Sequence, residues 1–396
     1  MNSFRFDHVI VGAGIIGLST AFELLTRDVP AASIAVIDPA PVSGATRAAG
    51  GMLAPVAEIQ YKQEPLYPLM VESGALFPEM LRRLSGYTSQ ETGYRTESTF
   101  VVAADRADAT HLMELTDHQH DHSLHVQRLP LRHARAAEPA LNPQLAGVVH
   151  IPGDHQINPS MYSATLLQVL RQTGVSLIDD TVTHLDCTFD EEGAVRHCHR
   201  VESDSAYFEV GASVYMCNGL GTSSVTGWYP AKELSPLKLR PVRGDMIRLR
   251  VAEGQEPPVG RVIRAFVEDR PVYIIPRTDS TIAIGATSRE DMRTAPAVDG
   301  VFALLRDAIR IVPALEECEI IEITTGDRPG TPDDLPYLGL AGDNLVISTG
   351  YFRHGILLSA LGAHAGADLG ITGKTDFHIS ACDPYRHCDQ RRKDLP

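Results

Sequence analysis

Hydrophobic and polar positions in the first 38 residues predict a strand, a helix and a second strand. Residues 9–11 form a short apolar run that is typical of a buried strand. Residues 33–37 form a second such run, which ends at Asp38. Between the two runs, apolar residues recur at the spacing of one helix face: Leu18, Ala21, Phe22 and Leu25. The pattern therefore predicts a β-α-β unit whose first turn is rich in glycine.

The pattern changes in the middle of the chain, where short apolar runs alternate with turn residues. Residues 69–84 and 161–170 still have the periodicity of helices, and Pro78 is expected to kink or interrupt the first of them. The strand-like runs are residues 175–178, 213–216, 244–251, 272–276 and 281–285. Turn residues separate the last three runs, which favours an antiparallel sheet over further β-α-β units.

The C-terminal part returns to a strand followed by a helix. Residues 344–348 are strand-like and meet Gly350, and residues 356–369 form an apolar helical pattern rich in Ala and Gly. Residues 377–396 are polar and of mixed charge, so we expect a surface tail. The predicted fold class is therefore α/β, and α+β overall because of the antiparallel run.

Composition and charge narrow the class of protein. The 396 residues are 43% hydrophobic and 21% charged, which excludes a disordered chain. Lys and Arg number 35 against 50 Asp and Glu, and the net charge of −15 excludes nucleic acid and anionic membranes as partners. No apolar run approaches the ~18 residues of a membrane-spanning helix, no signal-peptide pattern is present, and the six cysteines form no CxxC pair. These features predict a cytoplasmic location.

The glycine-rich turn at residues 12–17 has the form Gly-x-Gly-x-x-Gly and lies between the first strand and the first helix. In a dinucleotide-binding unit, Gly12 allows the tight turn, Gly14 lets the backbone approach a pyrophosphate, and Gly17 lets the helix pack closely on the strand. The helix N-terminus offers N–H groups to the phosphates, and Asp38 would accept a hydrogen bond from a ribose hydroxyl. The alternative is a glycine-rich turn that binds nothing. The long region between this turn and the C-terminal strand and helix favours FAD over NAD.

Five histidines cluster in one stretch of the chain and raise the question of a metal site: His111, His118, His120, His122 and His125. No carboxylate or cysteine stands near them at a spacing that suits a metal ion. We therefore expect a solvated helix or loop here, and no bound metal.

A set of motifs in the same order along the chain resembles the D-amino-acid oxidase superfamily of flavin-dependent amine and amino-acid oxidases. The resemblance extends over residues 6–372 and is greatest to the glycine oxidases, which serve thiamine (thiazole) biosynthesis. The motifs are SGATRAAGGMLAP at 43–55, PVRG at 241–244, YIIPR at 273–277, GAT at 285–287, RPGTPD at 328–333, PYLG at 336–339 and GYFRHGILL at 350–358.

The resemblance implies two interleaved domains. A doubly wound FAD-binding domain would consist of residues 1–85, 155–225 and 325–376. A substrate-binding domain with an antiparallel sheet would consist of residues 86–154 and 226–324. Residues 377–396 would lie outside both domains as the polar tail.

The resemblance also implies a reaction. Glycine, and also sarcosine or small D-amino acids, would be oxidised to an imine, and oxygen would reoxidise the flavin to give hydrogen peroxide. Hydrolysis of the imine would release a 2-oxo acid and ammonia. The FAD would be non-covalent, because the related sarcosine oxidases attach it through a cysteine before their Thr-Pro-Asp segment and residues 324–328 contain none. The partners would be a small amino acid and oxygen, and a homo-oligomer is expected.

Two other functions stay open. One is a D-amino-acid dehydrogenase or oxidase of the same superfamily that acts on another amine, the dehydrogenase passing electrons to a membrane carrier. The other is a non-catalytic FAD-binding protein, which would lack the arginine and the tyrosine named next.

The resemblance assigns roles to individual residues. Arg328 would bind the substrate carboxylate, for which a planar guanidinium is suited. Tyr273 would contact the same carboxylate, and Arg353 would be a second arginine near the substrate. No general base is required, because hydride can leave Cα directly for the flavin. The implied FAD contacts are Gly12, Gly14, Ile15, Ile16, Gly17, Asp38, Thr46, Arg47, Gly50, Gly51, Met52, Val182, Asn218, Gly219, Arg328, His354, Gly355, Ile356 and Leu357.

The chain departs from the family pattern at three places. Residues 266–271 contain neither the tyrosine nor the histidine that often precede the active-site tyrosine. Ser288 stands where a methionine of the pocket is expected, which would make the site more polar and roomier. Gly221 stands where the family commonly has tryptophan. These departures put the substrate preference and some flavin contacts in doubt.

Overall fold

A computed structural model describes residues 2–191, 193–229 and 235–388. The helices are α1 (Ile15–Leu25), α2 (Tyr67–Ser85), α3 (Arg106–Asp121), α4 (Leu131–Ala137), α5 (Pro159–Thr173), α6 (Val298–Ile311) and α7 (Ser359–Thr372). The strands are β1 (Asn2–Val11), β2 (Ile34–Ile37), β3 (Met52–Leu53), β4 (Thr99–Ala103), β5 (Gln127–Arg128), β6 (Gly147–Ile151), β7 (His155–Gln156), β8 (Ser176–Ile178), β9 (Val182–Phe189), β10 (Val195–Ser203), β11 (Ala206–Met216), β12 (Arg240–Arg250), β13 (Val262–Val267), β14 (Arg270–Pro276), β15 (Thr281–Gly285), β16 (Glu319–Gly330), β17 (Tyr337–Leu340) and β18 (Leu345–Thr349).

The first sheet is built around parallel strands in the order β18-β11-β1-β2-β8, with β17 antiparallel at one edge. Its central strands are apolar on both faces, as buried parallel strands are. Ile10 and Val36 face a core that includes residues of α1, α2, α5 and α7. Val9 and Val11 face a second core formed with strands β9 and β10, which extend the sheet from β11. Helices therefore cover one face of this sheet, and strands cover the other.

The second sheet has the strand order β16-β12-β15-β14-β13-β4-β6-β5 and is antiparallel except for the pair β13–β4. Helix α6 packs its apolar face against this sheet through Leu304, Ala308 and Ile311. The opposite face carries a small cluster that includes Met246 and has Tyr273 packed against it. The predicted α/β class, combined with an antiparallel sheet, is confirmed. The domain boundaries remain a prediction.

Three predictions about single elements are corrected: the interruption at Pro78, the start of the last helix and the surface tail. Helix α2 is not interrupted at Pro78, because burial of Phe77 and Met80 in the core stabilises the helical segment and outweighs the backbone hydrogen bond that proline cannot donate. The last helix begins at Ser359 and not at residue 356, because residues 355–358 form a turn in which the Leu358 N–H donates to the His354 carbonyl oxygen at 2.7 Å.

The segment expected to be a surface tail packs against the body of the protein as far as Cys388. Cys382 is fully buried, and the Arg386 guanidinium donates to both carboxylate oxygens of Asp333 at 2.8 Å. The Tyr337 hydroxyl lies 2.7 Å from His387 Nδ1. Burial of Cys382 and polar contacts of Arg386 and His387 with the body together hold the segment in place. Residues 389–396 lie outside the described part of the chain.

The histidine-rich stretch forms helix α3 and the turn after it. His118 contacts the hydroxyl group of Tyr67 at 3.0 Å, and its ring lies 4.4 Å from the ring of His122. Within residues 2–191, 193–229 and 235–388, no group of three or more His, Cys, Asp or Glu residues is placed to hold a metal ion. In the same residues, none of the helices combines the length and the apolar character needed to cross a bilayer.

Candidate active site

A cavity of about 540 Å³ is lined by residues of both sheets and of the segments between them. Two parts of it differ in chemistry. The glycine-rich part, as we call it, is formed by Gly14, Ile15, Ile16, Asp38, Thr46, Gly50, Gly51, Asn218 and Gly219. The charged part is formed by Glu58, Arg264, Tyr273, Arg328, Arg353 and His354. Each set draws its residues from distant parts of the sequence, and the fold joins them in one cavity.

The glycine-rich part depends on backbone that tolerates no side chain. Gly12 has φ +102°, and a Cβ there would lie 2.6 Å from the Cα of Asn218. A Cβ on Gly17 would overlap the carbonyl oxygen of Gly12. Gly12 and Gly17 therefore shape the turn and do not line the cavity, whereas Gly14 and Ile15 do. The result is a helix N-terminus that faces the cavity, which is a suitable site for phosphate groups.

Side chains around this turn hold it in place. The Ile15 N–H donates to Thr46 Oγ1 at 3.0 Å. The Asp38 carboxylate accepts from the Ala13 N–H at 2.6 Å and from the Ala40 N–H at 2.8 Å. An ionised carboxylate has about four acceptor positions, so Asp38 keeps capacity to accept from a ribose hydroxyl.

The charged part is assembled by the register of the second sheet. Tyr273 on β14 pairs with Gly285 on β15, and a Cβ on Gly50 would lie 2.9 Å from the Tyr273 hydroxyl oxygen. Arg328 on β16 lies over the backbone of Gly244 on β12, where a Cβ would overlap the guanidinium. Glycine at these positions leaves the space that the two large polar side chains occupy. Burial raises the pKa of Tyr273 and lowers the pKa of Arg328.

Arg353 and Arg328 differ from the other arginine of the cavity in their partners. Arg264 forms an ion pair with Glu58, with 2.8 Å between Nε and Oε1, and also donates to the Ala57 carbonyl oxygen. In the described part of the chain neither Arg328 nor Arg353 has an acidic partner, and the Nε of Arg353 is buried without a hydrogen bond. The charged part can therefore receive an anion.

Two further titratable groups lie in the charged part. Burial would raise the pKa of Glu58, but the positive charges of Arg264, Arg353 and Arg328 outweigh it and lower the pKa, so Glu58 is ionised. Burial lowers the pKa of His354 to about 4, so its imidazole is neutral at neutral pH. Sequence reasoning gave no role to Glu58 or Arg264. Glu58 lies three residues beyond the SGATRAAGGMLAP motif, and no local signal marks Arg264.

Arg277 is a further residue whose role the sequence did not indicate. It is buried, and it donates to the carbonyl oxygen of Ile157 at 2.7 Å and to that of Gly50. These bonds hold the backbone of Gly50 and Gly51 against the cavity. The only sequence feature that marks Arg277 is its position at the end of the YIIPR motif.

The structure places most of the predicted cofactor residues at the cavity, including Met52, Gly355, Ile356 and Leu357. Besides Gly12 and Gly17, two others do not line it. Arg47 is exposed and pairs with Glu322 at 3.2 Å, and Val182 lies in the core beside β1. Contacts of Arg47 and Val182 with FAD remain predictions without support from the cavity.

Some of the departures from the family pattern lie at the cavity, and others do not. Ser288 is exposed and does not line the cavity, whereas Thr287 and Thr294 do. Of residues 266–271, Pro271 lines the cavity. Gly221 also lines it, beside Asn218. Thr287 and Thr294, and not Ser288, therefore contribute to the cavity wall, and the Thr287 carbonyl oxygen contacts Arg328.

The residues of the glycine-rich part fit FAD. A helix N-terminus suits the pyrophosphate, a carboxylate with free acceptor positions suits the ribose, and the open space at Gly219 suits a flat ring system. Cys217 lines the cavity, and burial raises the pKa of its thiol to about 12, so it is protonated at neutral pH.

Comparison with known proteins gives a consistent result. The family model described as FAD dependent oxidoreductase matches residues 7–369. The bifunctional protein ThiO/ThiG of Trichormus variabilis is 33% identical over 392 residues, which cover 94% of this chain and 55% of that protein. The chain therefore spans about half the length of that relative. The glycine oxidase of Geobacillus kaustophilus is 30% identical over 390 residues, or 97% of each chain. The crystal structure of glycine oxidase from Geobacillus kaustophilus is similar with a TM-score of 0.83 and 29% identity, covering 97% of this chain and 99% of that one.

Proposed function

Because the chain belongs to the FAD dependent oxidoreductase family, we propose that it oxidises a small amino acid, with glycine as the preferred substrate and oxygen as the electron acceptor. FAD as cofactor, favoured by the long region between the glycine-rich turn and the C-terminal strand and implied by the resemblance, is confirmed by the family. The reaction would yield the imine, or its 2-oxo acid and ammonia, together with hydrogen peroxide.

The observation that carries this proposal is the pair Arg328 and Tyr273 in the same cavity as the glycine-rich turn. Arg328 is half-buried, has no acidic partner in the described residues, and presents a planar guanidinium to the cavity. A carboxylate can accept two parallel hydrogen bonds from such a group, which fixes both its position and its orientation. The Tyr273 hydroxyl, kept protonated by its raised pKa, can donate to the same carboxylate.

The charges of the site also favour the reactive form of the amine. Arg328 and Arg353 disfavour a protonated amine beside them, and the negative charge of Glu58 is offset by its ion pair with Arg264. A neutral amine is the form from which hydride can leave Cα. FAD, when bound, accepts that hydride. Gly14, Ile15 and Ile16 would hold its pyrophosphate, Asp38 its ribose, and Gly50 to Met52 would lie beside its ring.

Three finer points belong to the same proposal. The FAD is held without a covalent bond, which the protonated thiol of Cys217 supports. The product serves thiamine biosynthesis, which the name ThiO/ThiG of one relative supports. The protein forms a homo-oligomer, which remains an expectation from the resemblance.

Purified holoprotein with glycine, sarcosine and D-alanine tests the proposal. We expect oxygen consumption and hydrogen peroxide with each active substrate, and the highest kcat/KM for glycine. Turnover that requires an artificial electron acceptor and yields no peroxide would indicate the alternative dehydrogenase. A purified protein that takes up no FAD would overturn the proposal entirely.

A further inference from the structure

Asp245 is a fully buried carboxylate on β12 beside the charged part of the cavity, and the proposed reaction leaves it without a role. It accepts hydrogen bonds from Thr325 Oγ1 at 2.7 Å, from Thr287 Oγ1 at 3.0 Å and from the Ala297 N–H at 3.4 Å. It also forms an ion pair with Arg289 at 3.1 Å. Burial alone would raise the pKa of Asp245, but these donors lower it, so the carboxylate is ionised.

Thr287 connects Asp245 to Arg328. The Asp245 N–H donates to Thr287 Oγ1 at 2.7 Å, so main chain and side chain of Asp245 both hold Thr287. The Thr287 carbonyl oxygen in turn accepts from Arg328 Nη1 at 3.2 Å. Within residues 2–191, 193–229 and 235–388, no other hydrogen bond or ion pair holds the Arg328 guanidinium. The orientation of that guanidinium therefore depends on where the Thr287 carbonyl lies.

We propose that Asp245 is a positioning residue for carboxylate binding: it fixes Thr287, and the Thr287 carbonyl aims Arg328 at the substrate. The inference rests on the proposed function, in which Arg328 binds the carboxylate. Asp245 also fastens both ends of the segment from Thr287 to Ala297, which contributes Thr294 to the cavity wall. Since a small displacement of a binding group is costly in a preorganised site, this anchoring affects affinity at a distance.

The negative charge of Asp245 is not expected to act directly on the substrate. Arg289 neutralises it at 3.1 Å, so the pair has a weak field at the cavity. Anchoring is therefore the larger effect, and loss of Asp245 weakens carboxylate binding. A direct charge effect would have the opposite sign, because removing a negative charge near Arg328 would strengthen the binding of an anion.

The test compares Asp245→Asn with the wild-type holoprotein and with Asp307→Asn. Asp307 is a matched control, because it is also buried and arginine-paired, with Arg270 at 2.9 Å, but its partners Arg270 and Arg306 do not line the cavity, whereas Thr287 does. Acetate serves as a carboxylate probe, and its Kd is read from the change in the flavin absorption spectrum. For Asp245→Asn we expect the acetate Kd and the glycine KM to rise about tenfold, as for loss of a hydrogen bond to a charged group, with kcat within about twofold. Asp307→Asn should leave the acetate Kd and the FAD content unchanged.

The proposal is overturned if folded Asp245→Asn binds acetate with the same Kd as the wild-type protein. It is also overturned if the acetate Kd of Asp307→Asn rises as much as that of Asp245→Asn. If Asp245→Asn does not accumulate, Thr287→Val decides, because it removes the hydroxyl and keeps the Asp245 charge. The same rise in acetate Kd supports the proposal, and an unchanged Kd contradicts it. A wild-type protein that binds acetate but does not oxidise glycine contradicts the proposed substrate alone, and the acetate measurements still decide the role of Asp245.

Discussion

The glycine-rich part and the charged part of the cavity are built by different means. The glycine-rich part uses backbone from a few short segments, and its most demanding positions, Gly12 and Gly17, exclude any side chain. The charged part uses side chains from distant strands, and Tyr273 and Arg328 meet there through the register of the second sheet. The first part can bind a constant cofactor, whereas side-chain substitution in the second can change the substrate. We expect mutations in the two parts to separate cofactor binding from substrate binding.

The largest effect is expected at Gly12. In Gly12→Ala the new Cβ meets Asn218, and φ of +102° is strained for alanine. Strain and overlap together cost about 2–6 kcal/mol, enough to abolish FAD binding at ordinary concentrations. The visible flavin absorbance of the purified variant measures this. Gly366→Ala on α7 is the control, since a Cβ there meets no atom within 4 Å, and it should retain FAD.

The next effect is expected at Arg328, and it should appear in substrate binding alone. Arg328→Leu removes the proposed partner of the carboxylate, and loss of a buried charged hydrogen-bond pair costs about 2–5 kcal/mol. The glycine KM should rise by about 100-fold or more while FAD remains bound. Arg328→Lys should recover only part of this, because an ammonium group lacks the fork geometry.

Arg306→Leu on α6, outside the cavity, is the control for charge removal and should have the wild-type KM. Steady-state kinetics with glycine measures all three variants. An Arg328→Leu protein with the wild-type KM would refute the carboxylate assignment.

A third effect concerns pH, because titratable groups with shifted pKa values lie in the charged part. The pKa of His354 is lowered from 6.5 to about 4 in the folded protein. As the pH falls, His354 is therefore protonated in the unfolded chain before it is protonated in the folded protein. The stability that the folded protein has above pH 6.5 is lost as the pH falls towards 4. The loss in the free energy of unfolding that comes from His354 amounts to at most about 3 kcal/mol.

His354→Gln should lack the part of the stability loss at low pH that protonation of His354 causes. Asp154 acts in the opposite direction, because burial raises its pKa to about 7, so wild type and variant must be compared at each pH. Urea unfolding between pH 7 and pH 4.5 measures the difference. Parallel stability curves for the two proteins would show that His354 is not buried in its neutral form.

The smallest effect is expected at Asp38, the side chain that the glycine-rich part offers to the ribose. Asp38→Asn keeps one acceptor oxygen and loses the charge, so the Kd for FAD should rise about tenfold or less, as for one hydrogen bond. Titration of apoprotein with FAD measures it. A loss as large as that of Gly12→Ala would show that the glycine-rich part does not rely mainly on its backbone.

The contrast between the two parts also explains what the sequence could predict. The β-α-β unit and the glycine-rich turn follow from local patterns, and the family and its FAD cofactor are confirmed. The ion pair of Glu58 with Arg264 joins residues 206 positions apart, and the link from Asp245 to Thr287 spans two strands. Such contacts depend on strand register, which local hydrophobic patterns do not determine. The packing of Cys382 was missed for a different reason, because tertiary contacts outweigh the local polarity from which the surface tail was predicted.

Anaerobic reduction of the bound flavin by glycine tests the central claim most directly, because it requires both parts of the cavity in one protein. Wild-type holoprotein should lose its visible flavin absorbance on addition of glycine, and readmitted oxygen should restore it. Arg328→Leu should contain the same amount of FAD and stay oxidised at the same glycine concentration. Equal bleaching of both proteins, or wild-type flavin that no small amino acid reduces, would contradict the account.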